Sequence, residues 1–176
     1  DQGMLEYCKY FAKDSLKYVP IFGWGIYLMG SIMVKRDWSR DKENIKKTFR
    51  MYIGQSLPVW IVSYIEGTRF TASKAAQSRE YAVANGIKPL KHLLLPRTKG
   101  FTSALESFRA GSRIQTVYNA VLVYHHPKRG FGATPTISDF MFGRAAEFTY
   151  KVYVTMHRIE DIPTDTKDAS NWLVDL

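Results

Sequence analysis

Residues Val59–Ile65 form a nearly uniform apolar run, β-branched or aromatic except at Ser63, that ends abruptly in Glu66-Gly67-Thr68-Arg69. A short stretch that apolar suits a strand buried on both faces, which is the usual state of a strand in a parallel sheet. Helical patterns flank it. On one side, Ser39–Gln55 carries Ile45, Phe49, Tyr52 and Ile53 on one face and Arg40, Lys42, Lys46, Lys47 and Arg50 mostly elsewhere. On the other, Ser73–Asn85 is closed by Gly86. Strands alternating with helices predict an α/β fold with a mostly parallel central sheet flanked by helices.

The most apolar stretch, Tyr18–Val34, has no formal charge but contains Pro20, Gly23, Gly25, Gly30 and Ser31. A spanning helix needs about 20 apolar residues, and this one is short and broken. It reads as a helix over Pro20–Met29, a turn at Gly30 and a buried strand Ser31–Val34. A transmembrane segment stopped by Lys35-Arg36 is the alternative. Further on, Leu90–Leu95 reads as a strand stopped by Pro96. Ser103 and Glu106 have capping-box spacing for a helix ending near Gly111. Arg113–His125 and Glu147–Ile159 read as two more strands. Lys128–Pro135 and Glu160–Ser170 are loop-like, so residues 1–160 form one domain and 161–176 begin a C-terminal region. Asp1-Gln-Gly has no initiator methionine and no targeting signal, and reads as an internal boundary.

The chain's 176 residues carry a net charge of +9, which favours anionic partners: nucleic acid, lipid headgroups or cofactor phosphates. Its one cysteine and four histidines rule out a disulfide framework and show no metal-ligand spacing. The cations gather where apolar runs end: Lys35-Arg36, Arg69, and Arg97 with Lys99. Open α/β sheets hold ligands at strand ends, and arginine matches phosphate with a fork of donors. In Glu66-Gly67-Thr68-Arg69 a glycine permits close backbone approach, and Thr68 and Arg69 add a hydroxyl and a guanidinium. An ordinary strand-to-helix loop with an internal ion pair fits the same four residues. Gly-x-Ser-x-Gly, P-loop, Gly-x-Gly-x-x-Gly and His-Glu-x-x-His patterns are absent. His157 beside Glu160 and Asp161, His125-His126 and His92 all read as strand or strand-end residues. Arg129-Gly130-Phe131-Gly132 begins like an RNA-binding octapeptide, but Ala133, Thr134, Pro135 and Thr136 break the match, so nucleic acid is not an expected partner.

Together, Gly30-Ser-Ile-Met-Val-Lys-Arg36, Glu66-Gly67-Thr68-Arg69 and Leu95-Pro96 resemble the second, third and fourth motifs of the glycerolipid acyltransferases, in order and spacing. Lys17–Trp24, Glu66–Phe70 and Leu93–Phe101 are similar to the 1-acylglycerol-3-phosphate acyltransferase branch, which includes the lysocardiolipin acyltransferases. Glu160–Pro163 with Ala169–Trp172 is similar to the segment after the catalytic domain in that branch. The resemblance implies that Arg36, Glu66 and Gly67 bind the glycerol-phosphate part of an acceptor. It also implies that Thr68 and Arg69 shape that pocket and that Pro96 helps place the acyl donor, with Arg97 and Lys99 as lesser contributors.

The family's first motif, Asn-His-x-x-x-x-Asp, supplies the general base, and it is not found here: no histidine precedes His92, and none has an aspartate five positions later. The resemblance therefore implies a catalytic pair upstream of Asp1, no catalytic residue in this sequence, and no turnover by this stretch alone. It implies acyl transfer from acyl-CoA, a co-substrate and not a bound cofactor, to the sn-2 hydroxyl of a lysophospholipid. Lysophosphatidic acid is the expected acceptor, with lysocardiolipin or another lysophospholipid as the alternative. A non-catalytic lipid-binding module at a membrane surface is the reading from a different class. The expected setting is the membrane surface of the endoplasmic reticulum, facing the cytosol.

Overall fold

A computed structural model describes residues 7–35, 37–55, 58–109 and 114–176. The chain forms two compact units, Asp1–Gln115 with Ile159–Leu176, and Thr116–Arg158. The first is built on a parallel sheet of order β2-β1-β3, with β1 at Cys8–Lys13, β2 at Ile32–Val34 and β3 at Trp60–Val62. Phe11 pairs with Ile32 and Lys13 with Val34 on one side of β1. Cys8 pairs with Trp60 and Tyr10 with Val62 on the other. Parallel pairing sends the ends of β2 and β3 out of the same edge. The predicted α/β class, with its parallel sheet between helices, is thus observed.

Between β2 and β3 runs α2, Trp38–Gly54. Asp37 caps it, its carboxylate accepting from the Ser39 N–H at 3.1 Å. Its buried stripe is Asp41, Ile45, Phe49 and Tyr52, the spacing of one helical face. Phe49 is fully enclosed, its ring 4.9 Å from Phe108 and 6.3 Å from Phe11. Ile32, Ile45, Tyr52 and Phe108 complete this core, with Val34, Trp38 and Ile61 packed against it. The Tyr52 hydroxyl donates to the Gly30 carbonyl, and burial pushes its phenol pKa up to about 12. Gly30 has φ +72°, the left-handed turn that lets the chain double back before β2.

Phe108 reaches the core from α4, Thr98–Arg109. On α4 docks α6, Thr166–Asp175, with Trp172 stacked on Phe101 at 6.0 Å. Arg109 fastens the approach to α6 by donating to the carbonyls of Ile159, at 3.2 Å, and Ile162. The helix α1, Phe22–Leu28, follows a 3-10 turn at Asp14–Tyr18 and buries only Gly23. Most of its apolar side chains, with those of Tyr18 and Ile21, are exposed. No helix among the described residues is long and apolar enough to cross a membrane.

In the second unit β4, Thr116–His126, pairs antiparallel with β6, Thr149–Arg158, and with the short β5, Gly130–Phe131. Around its buried His126, the imidazole Nδ1 accepts from the N–H groups of Lys128, at 3.0 Å, and Arg129, at 3.1 Å. The Nε2 lies 3.4 Å from the Glu147 carboxylate. Buried Asp139 closes a capping box with Thr136 at the start of α5, Ile137–Met141. It also pairs with Arg129 at 3.0 Å and Arg144 at 3.2 Å. Arg129, the first residue of the RNA-binding look-alike, is therefore engaged inside its own unit.

Several sequence expectations need correcting. The short strand β1 is central to its sheet, yet no pattern marks it, because it is only six residues long and Lys9 and Lys13 interrupt it without a two-residue alternation. Residues 90–95 form no strand. Ser103 and Glu106 lie inside α4, which starts just after Pro96 and Arg97, so their capping-box spacing marks no helix start. The two late strands do not extend a parallel sheet but pair antiparallel with each other, and the segment joining them adds β5 to the same antiparallel sheet.

Phe49→Ala removes the ring at the centre of the first unit and should cost about 3–5 kcal/mol in urea unfolding. In the second unit, Asp139 is held far below the ordinary carboxylate range, first by the Thr136 N–H, then by the Thr136 hydroxyl and the two guanidiniums, against the opposing effect of burial. A lowered folded value means that its stabilisation is complete above the unfolded value, at about pH 4. It is lost as pH falls towards the folded value, where the unfolded chain alone has taken up a proton. The stability gap between wild type and Asp139→Asn should be full at neutral pH and shrink below about pH 4 in a pH series of unfolding curves.

Candidate functional site

Beyond β3 the chain turns at Tyr64–Gly67, closed by the Gly67 N–H donating to the Tyr64 carbonyl at 2.9 Å. Gly67 takes φ +67°, and a Cβ there would sit 2.8 Å from both Cδ and Nε of Arg97. Only glycine allows the turn and the arginine to share that space. Two further bonds lock the turn to Leu94–Arg97. The Arg97 N–H donates to the Ile65 carbonyl at 2.7 Å, and the Leu94 N–H donates to Glu66 Oε2 at 3.1 Å. Glu66 is thus partly spent on holding a backbone, and its Oε1 keeps accepting capacity.

The same segment is held from its other side by α3, Ala72–Ala84. Ser78 Oγ accepts from the Leu95 N–H at 3.0 Å, and Arg79 Nη2 donates to the Lys91 carbonyl at 3.0 Å. These side chains take backbone groups that a sheet neighbour would otherwise satisfy, and the segment bends at residues 91–93 instead of forming a strand. At the start of α3, Thr71 caps the helix, accepting from the Lys74 N–H at 3.3 Å. The Lys74 ammonium donates to Thr68 Oγ1.

Of the sequence-predicted site residues, Glu66, Gly67, Thr68 and Pro96 are brought into one clamp, with Arg97 against Gly67. Arg69 continues the same loop, exposed and in no ion pair among the described residues. Arg36 lies outside the described residues. Its neighbours are anchored by Asp41, whose carboxylate accepts from the Lys35 N–H at 2.9 Å and the Asp37 N–H at 3.2 Å. Sequence reasoning missed Asp41, Lys74, Ser78 and Arg79. The one available signal was Asp41, an acid on the otherwise apolar stripe of α2. The clamp offers cations, a hydroxyl and one partly free carboxylate, a set whose chemistry suits a phosphate and an adjoining hydroxyl.

Gly67→Ala should force the Arg97 side chain out of place and strain the turn by about 1 kcal/mol. Binding of phosphate-bearing ligands should therefore fall more than thermal stability does. Titration calorimetry with glycerol 3-phosphate beside a melting curve checks this, and equal affinity in the variant would count against the site.

A family model described as Acyltransferase matches residues 1–123. The human protein named 1-acyl-sn-glycerol-3-phosphate acyltransferase gamma is 35% identical over 171 residues, 97% of this chain and 43% of its own length. The human delta protein of that name is 33% identical over the same shares. The protein named 1-acyl-sn-glycerol-3-phosphate acyltransferase 3 from Arabidopsis thaliana is 29% identical over 164 residues, 93% of this chain and 42% of its own. The chain thus spans less than half the length of these curated relatives, and no solved structure matches it. With the family model covering most of the sequence and carrying the clamp within its matched span, this chain belongs to the acyltransferase family.

Proposed function

We propose that the natural protein transfers a fatty acyl group from acyl-CoA to the sn-2 hydroxyl of lysophosphatidic acid, forming phosphatidic acid. The observation that carries this is the clamp: Arg97 packed on Gly67, Thr68 and Arg69 beside them, and Glu66 holding Leu94. The relatives' names, which specify a 1-acyl-sn-glycerol-3-phosphate acceptor, support the same reading. In the reaction the acceptor hydroxyl attacks the thioester carbonyl, an ester bond forms, and the C–S bond breaks to release the CoA thiol. The hydroxyl proton goes to a general base, assigned to no residue of this chain. Arg36, Glu66, Gly67, Thr68 and Arg69 bind and orient the acceptor, and Pro96 shapes the donor side. Orientation of that kind supplies much of the acceleration in such a transfer. Residues 1–160 form the acyltransferase domain, and 161–176 begin a C-terminal region.

The reaction belongs at a membrane surface, because both substrates carry acyl chains. The exposed apolar residues around α1 support that setting: Ile21 is 83% exposed, Leu28 81%, Phe22 68% and Trp24 56%. Each such side chain gains about 1.5–3 kcal/mol on full burial in an apolar medium. The basic excess of the chain adds attraction to anionic lipid.

The test is acyl transfer by the natural protein with acyl-CoA and competing acceptors: lysophosphatidic acid, lysocardiolipin and lysophosphatidylcholine. Phosphatidic acid as the main product, lost in Arg36→Ala and Glu66→Ala with folding intact, is expected. Preference for another acceptor would replace the substrate, and full activity in both variants would remove the site. Replacing Phe22 and Leu28 together with serine should weaken flotation of the 176-residue chain with phosphatidylserine-containing vesicles several-fold, on the order of the lost apolar area.

A further inference from the structure

Lys74 stands on α3, outside the three motifs, yet its ammonium donates to the hydroxyl of Thr68 inside the clamp. The Arg97 side chain lies against the adjacent residue, Gly67. Two cations from different segments therefore meet one turn at neighbouring positions. Neither forms an ion pair among the described residues, where all five salt bridges lie elsewhere. Glu66 of the same turn forms a salt bridge with neither cation among the described residues, so both keep the capacity to attract an added anion. The bond to Thr68 uses one of the three ammonium donors, leaving two for a ligand. It also orients a side chain that is otherwise exposed and free to move in water. Glu66 forms no ion pair with Lys74, and its carboxylate instead accepts from the Leu94 N–H.

We propose that Lys74, oriented by Thr68 beside the Gly67 that Arg97 lies against, is a phosphate-recognition residue of this site. The ligand is a phosphate monoester or diphosphate carried by one of the two substrates: the acceptor's headgroup or the phosphates of acyl-CoA. The assignment rests on the proposed acyl transfer, and its test separates the two.

The experiment is steady-state kinetics of the natural protein as wild type, Lys74→Ala and Lys74→Arg, varying each substrate in turn. A loss of one charge-assisted contact is expected to raise KM about tenfold for the substrate whose phosphate Lys74 meets. The kcat should stay within about twofold, and Lys74→Arg, which keeps the charge, should recover most of the affinity. A rise confined to lysophosphatidic acid assigns the acceptor headgroup, and one confined to acyl-CoA assigns the donor. Monoacylglycerol, an acceptor without phosphate, should be used equally by wild type and Lys74→Ala in the first case. An unchanged KM for both substrates, or a fall in kcat alone, overturns the proposal. A wild-type protein that transfers no acyl group counts against the proposed function only. Lys74 is then judged by calorimetric binding of glycerol 3-phosphate and of 3′-phosphoadenosine 5′-diphosphate. Lys74→Ala must weaken at least one of them, and unchanged affinity for both overturns the assignment.

Discussion

Parallel pairing on both sides of β1 is the constraint on which the rest of the first unit depends. With β2 and β3 pointing the same way, the chain must cross over between them, and α2 is that crossover. The crossover needs an apolar stripe to lie on the sheet, and Ile45, Phe49 and Tyr52 provide it. The same geometry sends Lys35 and the Glu66–Arg69 loop out of one edge. Cationic groups distant in sequence are thereby delivered to one region, although no contact between them was written into either segment.

What turns that edge into a candidate site is a second layer of polar bonds to the backbone. Glu66 and the Ile65 carbonyl hold Leu94 and Arg97, Ser78 and Arg79 hold the stretch before Pro96, and Asp41 holds the residues on either side of position 36. Each of these bonds satisfies a main-chain group outside the helices and strands, most of them partly buried. Arg69, Lys74 and Arg97 form no ion pair among the described residues, while the acids nearby, Glu66 and Asp41, accept from backbone N–H groups. A site for phosphate needs that division, since a carboxylate free to pair with Arg97 or Lys74 would compete with the ligand.

The second unit uses charge in the opposite way. Asp139 gathers two arginines and a threonine around one carboxylate, and His126 gives its Nδ1 to two backbone N–H groups. Arg129, the one basic residue of the stretch that resembled a nucleic-acid motif, is consumed in an ion pair with Asp139. The contrast explains why net charge could narrow the partners to anions without showing which cations would meet one.

Much of the fold was legible in the chain because its signals are local. The stripe on α2, the glycine turn before β2, the broken apolar stretch around α1 and the apolar run into Glu66 each depend on residues close in sequence. The motif residues were legible by resemblance for the same reason, as short strings with fixed spacing. Tertiary structure decided the rest. β1 is a strand because it has neighbours on both sides, whereas Leu90–Leu95, of better strand composition, has side chains of α3 and Glu66 where a neighbour would be. Lys74, Ser78 and Arg79 look like ordinary exposed helix residues until the fold brings the clamp to them. Periodicity and capping are properties of one segment, but satisfaction of a backbone donor or an ammonium depends on what arrives from elsewhere, and only packing determines that.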